Sequence, residues 1–256
     1  MRNFDWNDVF RLPDAALAGD RRIPKTVLTR QALLTKTEQK VLDRVSALTH
    51  FATVQKSTTR VQPVVDEAHD IQSVLFLRCE MARGATYAEV ARLIHKCFPN
   101  PTVLLFGGAG EACISVATTR KSLAEQGATV IDGIESTGAF DVDNAAYASF
   151  LDALAFERLP QADLLSYLDA LTAHVVLSRV VESLGFFPAC NPADRDALSE
   201  LVTRHNALRG NVELLAAQHR DATLSLNESA KVRVQLKKTK GELASVIADI
   251  RGLCHV

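Results

Sequence analysis

Five cations stand within ten positions, Lys231, Arg233, Lys237, Lys238 and Lys240, with no acid between Glu228 and Glu242. On a helix Lys237 follows Arg233 by four and Lys238 follows Lys231 by seven, so the group shares a broad face. Such a face neutralises nucleic-acid phosphates and releases their counterions. The same run also suits the solvated outside of a coiled coil, which is the commoner origin of a charge run. A net charge of −1 over 256 residues provides no global basic field, so any nucleic-acid contact has to be this local.

The acidic candidates are Asp66, Asp70 and Glu80. A metal-dependent nuclease of the restriction-endonuclease-like class needs carboxylates to hold Mg2+ and a lysine two places beyond one of them to activate water. Glu80 is followed by Met81 and Ala82, and Arg83 comes one place too late, on the opposite face of a continuing strand. The three carboxylates therefore make a weaker alternative, in which Mg2+ is the cofactor. Otherwise no catalytic residue, resident metal or cofactor is expected. No H-x-x-x-H pair, G-x-S-x-G elbow or C-x-x-C pair occurs. Gly107-Gly108-Ala109-Gly110 lacks the Gly-Lys-Ser/Thr of a phosphate loop and reads as a tight hairpin. Arg120 and Lys121 read as a solvated strand end, and His95 and Lys96 as positive side chains at a helix C-terminus.

The elements that must carry these residues follow from periodicity. Phe4, Trp6, Val9, Phe10 and Leu12, interleaved with charge, predict a short docking helix, then an extended stretch through Thr26-Val27-Leu28. Thr35-x-x-Glu38 has capping-box spacing and opens a helix over 36–49. Residues 51–55 and 60–65 flank Ser57-Thr58-Thr59 as a hairpin, and the apolar run 71–77 is a central strand covered on both faces. A second capping box, Thr86-x-x-Glu89, opens a helix that Pro99 and Pro101 terminate, and strands 102–106, 112–117 and 129–134 follow. This order resembles the α-β-β-β-α-β succession of the nuclease class, but topology alone assigns no activity.

Strand patterns stop near residues 138–143, and helical periods occupy 147–156 and 164–184. Beyond Asn191-Pro192, Leu198, Leu201, His205, Leu208, Val212 and Leu215 alternate three and four apart. A break at 223–225 precedes a third capping box, Ser225-x-x-Glu228, and a second seam of Leu236, Lys240, Leu243, Ile247, Ile250 and Cys254. His205 and Lys240 are its polar positions and serve as register devices.

The five cysteines are odd in number and scattered, which fits reduced thiols in the cytoplasm. No apolar run approaches the roughly 20 residues of a spanning helix, so no membrane contact is expected.

Four motifs in order, Ile23-Pro24-Lys25, Asp70-Ile71-Gln72-Ser73-Val74, Ile94-His95-Lys96-Cys97-Phe98-Pro99-Asn100-Pro101 and Leu226-Asn227-Glu228, give the chain a family likeness over nearly its whole length. It resembles the bacterial domain-of-unknown-function 4391 family, with Asp70 where that family has Glu and Asn100 where it has Tyr. The resemblance implies a small companion of helicase and DNA-methyltransferase genes in prokaryotic antiviral or restriction loci, with no settled activity. The expectation is an α+β protein: a mixed β-sheet domain with flanking helices over 1–140, then an all-helical region over 141–256 ending in an antiparallel coiled-coil-like hairpin. It would act as a non-catalytic accessory or assembly subunit. Its partner would be a helicase or methyltransferase of the same system, with a second copy and DNA or RNA as further partners. The alternative is a divergent metal-dependent nuclease.

Overall fold

The computed structural model of the chain describes residues 4–82, 86–108, 110–125, 127–220 and 224–254. Arg83, Ala109 and Thr223, each named above, lie outside them. The chain divides into two compact units, Met1–Val176 and Leu177–Val256.

In the first unit, α1 (Trp6–Phe10) is capped by the Asp5 side chain, which accepts from the Asn7 amide at 3.0 Å. There follow β1 (Leu17–Arg22), α2 (Lys25–Gln31), α3 (Lys36–Asp43), β2 (Val45–Gln55), the single turn α4 (Lys56–Thr59), β3 (Val64–Val65), β4 (Asp70–Ile71) and β5 (Ser73–Met81). Next come α5 (Tyr87–Lys96), β6 (Thr102–Gly107), β7 (Glu111–Lys121), β8 (Thr129–Ser136), β9 (Phe140–Asp141), α6 (Ala148–Ala153) and α7 (Leu164–Ser178). The main sheet runs β1-β2-β5-β6-β7-β8, with β9 on β7. Its one parallel pair is β5 with β6, joined through α5, and the other pairs are antiparallel.

The apolar run around residues 71–77 does lie in the middle of the sheet. Successive residues of a strand point to opposite faces, and both faces here are covered. Leu77 joins Leu28, Leu42, Val90 and Ile94 in a core cluster under α2, α3 and α5. Phe76 meets Phe10 of α1 edge-on at 5.1 Å between ring centroids. Cys79, Cys97 and Cys113 belong to the same core cluster, and all three are buried.

Three local expectations fail for identifiable reasons. The helix capped by Thr35 stops at Asp43, and the chain turns into the eleven-residue strand β2. Leu42, Val45 and Leu48 keep a helical interval because Leu42 lies in the last turn of α3 and the bulge at Val45/Ala47 breaks the strand alternation before Leu48; a second bulge follows at His50/Ala52. Residues 51–55 and 60–65 do not form a hairpin: β2 pairs with β1 and β5, whereas β3 pairs with β4 in a separate two-stranded sheet. Thr26-Val27-Leu28 is helical, since Pro24 starts α2, and the extended segment lies upstream in β1.

In the second unit, α8 (Val181–Leu184) ends at Gly185, in the left-handed region at φ +86°. Helices α9 (Arg195–His219) and α10 (Leu226–Leu253) pack as a hairpin. Ser225 caps α10 through the expected box, its hydroxyl accepting from the Glu228 amide at 3.3 Å while Glu228 accepts from the Ser225 amide at 3.0 Å. Leu198, Val202 and His205 are buried on α9, as are Thr239, Val246 and Ile250 on α10. Lys240 is exposed. The three-four alternation thus runs 236, 239, 243, 246, 250, and Thr239 takes the inward position because leaving an ammonium unpaired in an apolar seam costs far more than burying a hydroxyl. Thr239 satisfies its hydroxyl locally, donating to the Gln235 carbonyl at 3.0 Å.

Candidate nucleic-acid interface on the C-terminal hairpin

At 3.6 residues per turn, Arg233, Lys237 and Lys240 fall within about 60° of one another around α10, and Lys231 and Lys238 within about 20°. The two groups are about 100° apart at their nearest, with Val234 between them. Together they occupy the half of α10 turned away from the buried stripe. All five cations are exposed, and Val234 between them is 69% exposed. Lys238 has a loose ion pair with Glu242 at 3.9 Å, one turn along, while among the described residues no carboxylate lies within ion-pair distance of the other four. The spacing expected from sequence is therefore present, divided into two flanks.

Towards the hairpin tip the apolar seam is only half covered. Leu208, Val212 and Leu215 on α9 and Val232 and Leu236 on α10 all keep partial exposure. An open cavity of about 360 Å³ there is lined by Gln218, Leu224, Glu228, Lys231 and Val232.

The carboxylates behave differently. Asp66 closes a turn, its Oδ1 accepting from the amides of Ala68 at 2.8 Å and His69 at 2.6 Å. The His69 ring stands 3.1 Å from Oδ2, and its hydrogen bond, with that of the His69 amide, holds the Asp66 carboxyl below the usual range. Asp70 accepts from Gln72 Nε2 at 2.7 Å, in the β3–β4 pair beside Asp66. Glu80 lies at the other end of β5, opposite Ala47. Ser73 to Glu80 covers about 23 Å at 3.3 Å per residue, so the structure brings Asp66 and Asp70 together and leaves Glu80 apart. Among the described residues no group of three His, Cys, Asp or Glu is disposed to hold a metal.

The other cations singled out in the sequence are engaged. Arg120 donates to Asp132 at 2.9 Å, Lys121 Nζ to the Asp66 carbonyl, and Lys96 to Glu38 at 2.7 Å. Lys96, with the Thr35 cap, pulls the Glu38 carboxyl down to about 2. Gly107 takes φ +75°, and a Cβ there would come within 2.1 Å of the Glu111 carbonyl oxygen, which accounts for glycine in this hairpin without a phosphate.

Two histidines are placed as sequence did not indicate. His95 is no positive helix end: it is 1% exposed under the sheet, with Nε2 2.9 Å from Ser115 Oγ, and burial drives its pKa down to about 3. The signal was faint, since His95 stands one turn beyond Ala91, at the margin of the apolar arc of α5. His205, read as a register device, reaches α8, its Nε2 3.0 Å from Ser183 Oγ.

Neither a curated protein nor a solved structure matches the chain. The model of one family, described as Domain of unknown function (DUF4391), matches residues 10–243, and since that stretch covers nearly the whole sequence, the chain belongs to the DUF4391 family.

Proposed function

We propose that this protein is a non-catalytic accessory subunit that docks a partner protein along its C-terminal hairpin and brings the outer half of α10 to nucleic-acid phosphate. The observation that carries the reading is the set of exposed cations Lys231, Arg233, Lys237 and Lys240, which have no carboxylate partner among the described residues, on a chain whose overall charge is near zero. A merely solvated helix face usually interleaves both signs. Here one sign holds the arc for ten residues.

The half-covered seam supports the docking part. Helices of 25 and 28 residues extend about 37 and 42 Å, and their outer portion leaves leucines and valines partly in water. A partner helix laid along that portion gains apolar burial at about 25 cal/mol per Å². The family resemblance supports a helicase or DNA methyltransferase of a prokaryotic antiviral or restriction-type system as that partner.

Purification of the tagged chain from its native operon, with light scattering on the product, tests the reading. The expected result is a stoichiometric complex with a helicase or methyltransferase. A strict monomer that ignores its operon neighbours would overturn the docking part. For the nucleic-acid part, a salt-dependent gel shift that disappears in the double variant Lys237→Glu, Lys238→Glu is expected, and an unshifted probe would overturn it.

A further inference from the structure

Around α10, side-chain size changes with direction. Opposite the buried stripe the crest of the helix is low: Ala230, Val234, Gly241 and Ser245 are all exposed there. The long cationic side chains stand on the two shoulders, Arg233, Lys237 and Lys240 on one and Lys231 and Lys238 on the other. Lys231 to Lys240 extends about 14 Å along the axis.

Gly241 is informative because the fold does not ask for it. A Cβ added there would meet nothing within 4 Å, and the residue sits inside a regular helix. Glycine in a helix interior is less favourable than alanine by about 1 kcal/mol, and nothing packed in this chain offsets that. Glycine does allow another molecule to approach the backbone closely.

A rod with a low crest and cationic shoulders is complementary to a groove walled by two rows of phosphates. The major groove of B-form DNA is about 12 Å wide and about 8.5 Å deep and admits an α-helix. The major groove of an A-form RNA duplex is too narrow for side chains to enter, and a single strand offers one row of phosphates to one shoulder. Beside the cations, Ala230, Val234 and Gly241 supply no side-chain donors or acceptors for base edges, and Ser245 lies beyond Lys240, so a helix seated in this way contacts phosphate with little reading of sequence.

We propose that α10 lies crest-first in the major groove of B-form duplex DNA, with Arg233, Lys237 and Lys240 on one phosphate row and Lys231 and Lys238 on the other. This rests on the nucleic-acid part of the function proposed above, and it selects duplex DNA over RNA and single strands. The loose Lys238–Glu242 pair gives way to phosphate on binding.

The test is fluorescence anisotropy of the full chain with a two-turn DNA duplex of arbitrary sequence, the equivalent RNA duplex and the single DNA strand, between about 50 and 200 mM salt. For duplex DNA, log affinity against log salt should have a slope of about −3.6 to −4.5, the value for four or five phosphates. RNA duplex and single strand should bind at least about tenfold more weakly. Val234→Trp and Gly241→Leu raise the crest without changing charge, and each should weaken duplex DNA binding at least about tenfold while circular dichroism shows the helix content unchanged. Equal binding of all three nucleic acids, or unaltered duplex binding in both crest variants, would overturn groove insertion while the general nucleic-acid reading stands. Binding to none of them would overturn both.

Discussion

His205 Nε2 lies 3.0 Å from Ser183 Oγ, in a fully buried position, so that the one imidazole in the α9 seam is tied to α8. Its Nδ1 faces the Asn206 amide oxygen at 3.1 Å. Burial first, and then the nearby Arg209 charge, work against protonation of this ring. Near this join Arg209 pairs with Glu182 of α8 at 2.9 Å, and Arg251 of α10 donates to the Leu184 carbonyl at 3.2 Å.

Acid should weaken the fold through His95 and His205 together. Both rings have folded pKa values below the unfolded value of about 6.5, so the unfolded chain takes up the proton first. Their contribution is complete above about pH 6.5 and falls as pH drops towards the folded value, which for His95 is about 3. Each pH unit within that window removes on the order of 1 kcal/mol through His95. Among the described residues the His95 Nδ1 has no hydrogen-bond partner, which leaves an imidazolium there unsupported. Urea midpoints measured between pH 7 and 5 should fall, and fall less steeply in His95→Gln. Parallel slopes for the two proteins would sink the assignment.

Arg78 joins three segments from the sheet. It is 2.7 Å from Asp5, 3.2 Å from Asp20, and its guanidinium carbon is 4.2 Å from the Phe51 ring centroid. Asp5 is also the cap of α1, and Asp20 holds a left-handed φ of +50° in β1. Arg78→Ala should cost about 1–3 kcal/mol, and Arg78→Lys part of that, because an ammonium cannot serve both carboxylates in a fork. Amide exchange would show the loss first in α1 and β1. An unchanged exchange profile there would contradict the role.

Gly107→Ala should destabilise the protein by about 1–3 kcal/mol, from the positive φ together with the carbonyl of Glu111 in the path of the new methyl group. Gly108→Ala has open space and should leave the thermal midpoint within about 1 °C, a change well under 0.5 kcal/mol. Equal effects of the two substitutions would show that the backbone at 107 is not strained.

Thr239 and Lys240 are neighbours with opposite exposure. Lys240→Ala should change stability by less than about 0.5 kcal/mol, whereas Thr239→Lys should cost about 2 kcal/mol or more by placing a charge in the seam. A reversed order in denaturant unfolding would restore Lys240 as the seam residue.

Local capping chemistry was legible in sequence. Thr35, Thr86 and Ser225 each accept from the amide three residues on, as their spacing requires. So was the β6–β7 hairpin, because an apolar run on each side of a glycine turn fits few other structures. What sequence obscured is where long-range pairing overrides a local period. β2 is bulged twice, and a strand that skips registers cannot be told from a helix by the spacing of Leu42, Val45 and Leu48 alone. The cationic run was equally plain. Its division into two shoulders about Val234 depends on which stripe of α10 is buried, and that was decided at two positions, Thr239 in place of Lys240 and Val246 in place of Ile247.

The three thiols inside the core cluster also equip the chain with its own reporter of opening. Burial raises the Cys79 thiol to about 12 and moves Cys97 the same way, so in the folded protein neither supplies the thiolate that alkylating reagents need. Once the sheet separates from α5, both return to ordinary reactivity at once. Maleimide uptake beyond that of the part-exposed Cys190, counted by mass, therefore times the breathing of this layer without an introduced probe, and comparing that clock with and without added duplex DNA would show whether the proposed contact on the hairpin is felt in the sheet.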